Sequence, residues 1–269
     1  MDLLARFSAI INSYLPQPHA SLLNGILFGI EIPHNNEFYT QLKQVGLIHI
    51  VVLSGMNITI LASIVAHATS KLEKRLSICI ILAVIVSFVL FVGPKPPIVR
   101  AAIMGSIAIM APLFGRTKQG LYLLFLSLVI IAVFKPDWIF SISFQLSFSA
   151  AFGIMLLSNK YQLNLSEQKP KKYTNFLFEE FKTSLSAYLF TTPIIFFYFR
   201  EMSFLAPISN VFVGFTIPFI MILGFVTVLL GFVHNSLGII PSYILYGLLE
   251  YIHLVVVFLS RITIGYYKF

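Results

Sequence analysis

Charged side chains are scarce in this sequence. Asp, Glu, Lys and Arg make up 10% of its 269 residues, against about 25% in soluble domains. A surface that poor in charge would aggregate in water, so the implied solvent is lipid. Cysteine is almost missing too: Cys79 stands alone in an apolar run, which excludes an intramolecular disulfide and a thiolate metal centre. The six histidines show no H-x-x-x-H or H-x-H-x-D-H spacing. No zinc or two-metal site is therefore readable, no metal or cofactor is implied, and no catalytic role is assigned. The phosphate-binding run G-x-x-x-x-G-K-[ST] is absent, so the sequence shows no nucleotide-driven motor.

What fills the chain is apolar sequence: 58% hydrophobic residues, 27 of them phenylalanine, and a mean hydropathy of +0.91. Long apolar runs recur near 48–69, 77–92, 98–114, 121–134, 139–157, 184–200, 205–230 and 238–260. A full crossing takes about 20 residues, so the shorter runs are expected to be tilted or re-entrant pieces held in protein. The fold class expected is all-α and polytopic, with about eight transmembrane or re-entrant helices. Asp2 and Arg6 interrupt the first stretch, which reads as an interfacial amphipathic helix over 2–15 rather than a cleavable signal. The segment 19–30 is apolar but too short to span, and its Gly25-x-x-x-Gly29 spacing permits close helix approach. Residues 1–47 are thus read as a lead-in of short helices and 48–269 as the multi-pass domain, with one long polar loop at 158–183.

The net charge of +8 fits either anionic partners or ordinary cytoplasmic loops. Lys71, Lys74 and Arg75, then Arg116 and Lys118, then Lys160, Lys169, Lys171, Lys172 and Lys182 fall in alternate loops. Those loops are expected on the cytoplasmic side.

Polar groups at membrane depth are costly unless paired or wet, so they are the informative residues. Four places stand out. His49, Ser54, Gly55 and Asn57 share one apolar run, and Ser54-Gly55 favours a helix break or close contact. Lys95 and Arg100 follow Gly93-Pro94 and flank Pro96-Pro97, where proline stops one helix and starts the next. Ser141, Gln145 and Ser149 recur every four residues and form one polar stripe, with Ser143 and Ser147 making a second. Asn210 lies between Pro207 and Gly214, in sequence suited to a broken helix lining a cavity.

In this order the segments resemble the ComEC competence-channel family. His49 through Asn57 is similar to its H-x-x-x-[IL]-S-G-[LM] segment, and Pro96 through Ala101 to its P-S-x-x-R-A segment. Phe144-Gln145-Leu146-Ser147-Phe148 matches F-Q-L-S-F, and Asn210 through Pro218 the late N-x-x-x-x-P region. Asn57 stands where the family often has histidine, and Pro97 replaces its serine. Lys135 and Ser141 replace acidic residues, and Ser143 a glycine. The resemblance implies a channel that passes single-stranded DNA through the bacterial cytoplasmic membrane during transformation. It further implies a cytoplasmic ATP-driven translocase, an extracellular DNA receptor and a separate nuclease as partners. Assembly into a homo-oligomer is compatible with it. The family's extracellular and metallo-β-lactamase-like domains have no counterpart in this sequence.

Two other readings compete. A small-solute transporter also uses broken helices, with its site at the membrane midplane. An intramembrane serine hydrolase would use Ser54, but Val52 stands where the rhomboid pattern has glycine. Such an enzyme also needs a base in hydrogen-bond reach of the hydroxyl. For a DNA passage, the chemistry asks for neutral polar residues at depth and cations at the openings. His49, Ser54, Gly55, Asn57, Lys95, Arg100, Ser141, Gln145, Ser149 and Asn210 are the residues expected to line it or touch DNA.

Overall fold

The computed structural model describes residues 3–33, 36–51, 54–114, 119–157, 176–262 and 266–268. The basic positions 115–118 and 158–175, two parts of the orientation argument, lie outside them. The chain divides into two compact units, one formed by Met1–Leu53 with Arg200–Phe269 and the other by Ser54–Phe199.

The first unit joins both ends of the sequence. It holds α1 (Leu3–Tyr14), α2 (His19–Phe28), α3 (Glu37–Gln44) and α4 (Ile48–Val51). From the later part of the chain come β1 (Glu201–Ser203), α11 (Ala206–Gly214), α12 (Ile217–Val233), α13 (Ile239–Ser260) and β2 (Tyr266–Lys268). The two short strands pair antiparallel, Met202 opposite Tyr267. The centre of the unit is α2, whose residues are all buried except Ser21. It packs against α1, α4, α12 and α13. The two glycines of α2 do different jobs. A Cβ at Gly25 would collide with Val51 Cγ1 and come within 3.0 Å of the Val51 carbonyl, so glycine lets α4 reach the helix. Gly29 instead ends the helix in the left-handed region, φ 65°, with its N–H donating to Gly25 O at 2.9 Å.

The N-terminal helix is amphipathic as the sequence indicates, and its apolar side packs on α2 and α12. Phe7 meets Phe232 edge-on at 5.6 Å and Phe28 at 6.1 Å. Tyr14 lies in the space left by Gly231 and Gly238, and its hydroxyl donates to Asn235 Oδ1 at 2.9 Å.

The second unit is a helical bundle of α5 (Gly55–Ala68), α6 (Lys74–Val92), α7 (Pro96–Met110), α8 (Gly120–Phe134), α9 (Ile142–Leu157) and α10 (Phe176–Phe199). Here α7 is the hub, touching α5, α6, α8 and α9. Gly93 closes α6 at φ 95°, and Pro96-Pro97 occupies the first turn of α7, where missing N–H groups cost nothing. α9 and α10 approach closely at Gly153, where a Cβ would sit 2.5 Å from Ser186 O.

Among the described residues three helical segments are long and apolar enough to cross a bilayer: Lys74–Val92, Pro96–Leu113 and Asn235–Ser260. The pair α11–α12, bent by 49°, is a broken span or a re-entrant loop and makes a fourth when taken as one span. Shorter apolar helices (α2, α5, α8 and α9) accompany them. Large apolar side chains stand fully out from both units, among them Leu90, Phe134, Phe140, Phe197, Val233 and Ile240. Water would not tolerate that surface and hydrocarbon does. The protein is an all-α polytopic membrane protein.

Gly25→Ala is expected to lower stability by about 1–3 kcal/mol through overpacking against Val51. Gly247→Ala, with nothing within 4 Å of the added carbon, is expected to be near neutral. Thermal unfolding of both variants in detergent checks the contrast.

Candidate functional site

The ten residues singled out in the sequence divide between the units. His49 and Asn210 belong to the first, and the other eight to the second.

In the first unit His49 sits on the one-turn helix α4, exposed, with its Nδ1 3.0 Å from Gly46 O. Asn210, in α11, hydrogen-bonds the same imidazole. The support beneath the pair is specific. Ser209 Oγ donates to Val45 O and Ser203 Oγ to Gln44 O, each at 2.7 Å. Gly46, at φ 75°, leaves room for Ala206, whose Cβ would stand 2.5 Å from an added side chain. The start of α11 is thus fastened to the turn that carries His49.

In the second unit Ser54 is the N-cap of α5. Its Oγ accepts from Met56 N and donates to Asn57 Oδ1, both at 3.3 Å. This capping explains the break in the run 48–69: a new helix begins at Gly55. Asn57 is 3% exposed and Arg100 6%. The guanidinium lies across the α5 start, with Nη2 3.6 Å from where a Gly55 side chain would begin. Ala101 would be 3.1 Å from the same point, so glycine at 55 is what brings α5 and α7 together. Ser147 Oγ accepts from Arg100 Nη2 at 2.9 Å and from Nε at 3.2 Å, and Met104 Sδ lies 3.1 Å from Nη1. These two partners are uncharged. Ser54, Gly55, Asn57 and Arg100 are therefore gathered around one helix start.

Ser147 and Met104 complete this cluster, and neither was selected from the sequence. Met104 follows Arg100 by one helical turn, a usable signal. Ser147 was visible as part of the second stripe of α9, but a stripe does not say which neighbour it faces.

Of the first stripe, Gln145 and Ser149 lie within α9 and Ser141 just before it. Ser141 caps α9, its Oγ donating to Trp138 O at 2.6 Å and accepting from Phe144 N at 3.3 Å. Ser149 Oγ donates to Gln145 O at 2.7 Å, and Gln145 Nε2 is 3.5 Å from Ile139 O. Lys95 is exposed at the N-cap of α7. Charge is unevenly placed: 13 of the 18 basic residues and 5 of the 10 acidic ones lie in Ser54–Phe199. The whole formal excess of +8 therefore resides in the second unit. Among the described residues no three His, Cys, Asp or Glu side chains are grouped to hold a metal.

A helical membrane bundle with a buried arginine held by a serine defines the class of protein: a polytopic membrane protein with a polar interior site. The profile of the competence protein family matches residues 26–268, and the chain belongs to that family. It is 23% identical over 221 residues to ComE operon protein 3 of Bacillus subtilis (strain 168), covering 78% of this chain and 26% of that protein. It is 26% identical over 164 residues to an uncharacterized protein of Aquifex aeolicus (strain VF5), covering 61% of this chain and 36% of the relative. The chain thus aligns with about a quarter to a third of the length of these relatives. No solved structure matches it.

Ser147→Ala removes the acceptor shared by two guanidinium nitrogens. It is expected to destabilise the fold by about 1.5–3 kcal/mol, the range for hydrogen bonds to charged groups. Ser143→Ala, at an exposed position one turn earlier, serves as the neutral control in the same unfolding measurement.

Proposed function

We infer that this chain provides a hydrated passage for single-stranded DNA across the bacterial cytoplasmic membrane during natural transformation. The reading rests on membership of the competence family together with one observation. An arginine 6% exposed in an apolar bundle donates to a serine hydroxyl and approaches a thioether, beside a helix N-terminus. It lies one turn inside α7, where a cation is costly unless it is wet or paired. Its retention suits a function that meets anions.

The chemistry of the cargo sets the rest. Each nucleotide carries a phosphate charge, and an ion is excluded from hydrocarbon. DNA must therefore travel through water past groups that bind it weakly. Ser54, Asn57, Ser141, Gln145 and Ser149 supply neutral hydrogen-bonding groups, and His49 with Asn210 supplies a second polar pair. Lys95 and the basic loops of the second unit supply cations at the openings, where they concentrate a polyanion. Arg100 is the phosphate contact, exchanging Ser147 for a passing phosphate oxygen. The chain carries no nucleotide-binding loop, so the inward pull comes from a partner ATPase in the cytoplasm. An outer receptor delivers DNA, and a separate nuclease degrades the second strand.

A serine hydrolase is less well supported, because the Ser54 hydroxyl is occupied as a helix cap and as a donor to Asn57.

Arg100→Ala is expected to reduce entry of labelled DNA into the cytoplasm by about tenfold or more, equivalent to ~1.4 kcal/mol. Arg100→Lys, which keeps charge but loses the planar fork, should fall between the variant and the parent. Gln145→Leu should also reduce entry. Normal DNA entry with both Arg100→Ala and Gln145→Leu correctly inserted would overturn the reading.

A further inference from the structure

The first unit contains a second polar site that the DNA passage does not use. Glu250 lies in the middle of α13, eleven residues from Ile239 and ten from Ser260, or about 15 Å from either end at 1.5 Å per residue. Its Oε2 is 2.6 Å from Nε2 of His19, in α2. The histidine side chain is 6% exposed and the glutamate 35%. A carboxylate at this depth, one third open, is too costly against hydrocarbon and must meet water or protein on its open side.

Tyr246, Glu250 and His253 recur at i, i+4 and i+7 and so share one face of α13. The His19 ring lies tilted against Tyr246 at 4.8 Å and 5.6 Å from the His253 ring, which in turn meets Phe38 at 5.2 Å. Nδ1 of His19 and Nδ1 of His253 are both buried and have no hydrogen-bond partner among the described residues. Buried polar atoms are ordinarily satisfied by protein or by ordered water. His253 also lines a recess of about 390 Å³, together with Gln17, Asn36, Glu37 and Gln41. Pro18, Phe38 and Val257 complete the lining, and His253 links the recess to the neighbouring His19 ring.

We propose that His19, Glu250 and His253 form a proton-binding site at membrane depth, loaded by water through this recess. With its Nε2–H donating to Glu250, neutral His19 presents Nδ1 as an acceptor. A hydronium ion in the recess gives its proton to Nδ1 and leaves as water. The pair of imidazole and carboxylate then passes from a net charge of −1 to an ion pair of net charge 0. Release reverses the step, with water as the acceptor. His253 Nδ1 anchors the water that connects His19 to the recess. The loaded pair is compatible with a dry surrounding, whereas the unloaded carboxylate requires hydration. Proton occupancy therefore sets how wet this part of the first unit is.

Other ionisable groups on the packed elements do not compete for the role. On α3, Glu37 faces the recess, while Phe38 and Leu42 are the buried side that excludes Tyr39 and Lys43. On α1, Arg6 is exposed and Tyr14 is engaged at Asn235; Tyr251 is engaged at Phe212 O and His49 at Gly46 O. α11 and α12 contain no ionisable side chain.

The site rests on α13 lying in the membrane and not on the DNA reading, so it is tested without DNA. The full chain is labelled with 15N-histidine, placed in lipid nanodiscs and followed by NMR from about pH 5 to 8, the interval in which imidazoles as a class change charge. The expected result is a coupled response of His19 and His253 to pH, with exchange of both rings with water. Glu250→Gln should abolish the coupling and leave the exposed His234 signal unchanged. His253→Gln keeps the His19–Glu250 contact and should slow water exchange at His19. A His19 signal that is indifferent to both substitutions, or sealed from water in the parent chain, would overturn the proposal.

Discussion

A hydroxyl or amide has no water to bond inside a bilayer, and this constraint governs nearly every polar residue in the structure. The hydroxyls answer it locally. Thr59 donates to Gly55 O, Ser63 to Thr59 O, Thr69 to Val65 O, Ser186 to Lys182 O and Thr227 to Leu223 O. Each closes on the carbonyl one turn back, which satisfies the hydroxyl locally, and Thr69 also meets Ser77 Oγ at 2.7 Å. The groups that cannot be satisfied this way are the ones that build sites. Arg100 needs Ser147, His49 needs the turn at Gly46, and Glu250 needs His19.

Helix breaks follow the same logic. A break frees backbone groups, so it must be covered by caps or buried contacts. Ser54 covers the start of α5, Ser141 that of α9, and Ser209 ties the first turn of α11 to Val45. The glycines nearby, Gly46 and Gly55, remove the side chains that would hold the adjoining segments apart. Polar residues near a break therefore serve the scaffold first, and any contact with a passing solute uses their remaining capacity.

Much of the fold was legible because apolar runs end where proline, glycine or charge intervenes. The runs expected at 77–92, 121–134 and 238–260 correspond to Lys74–Val92, Gly120–Phe134 and Ile239–Ser260. The apolar run at 184–200 and the charged turn before it at Glu179, Glu180 and Lys182 form one helix, Phe176–Phe199, whose continuity the change of polarity disguises. The run 205–230 is two helices, because the chain turns at Phe215–Thr216. The segment 19–30 was seen only as too short to span, and its place at the centre of the first unit was not readable. Burial there depends on α12 and α13, which periodicity within α2 cannot report. The site was legible in kind more than in wiring. Spacing put Ser141, Gln145 and Ser149 on one face, and placed Arg100 after the prolines. It could not pair Arg100 with Ser147, 47 positions away, or His19 with Glu250, 231 positions away.

That last separation has a consequence for biosynthesis. At about 5–20 residues per second, His19 leaves the ribosome roughly 10–45 s before Glu250, its partner. When α2 emerges it lacks α12 and α13, two of the helices that pack on it, whereas Ser54–Phe199 is a compact unit of continuous sequence. The middle of the polypeptide is thus free to mature first, and its two ends meet only after translation of the last helix. Such a chain depends on the insertion machinery, or on a chaperone, to shelter an orphaned hydrophobic hairpin until its counterpart arrives.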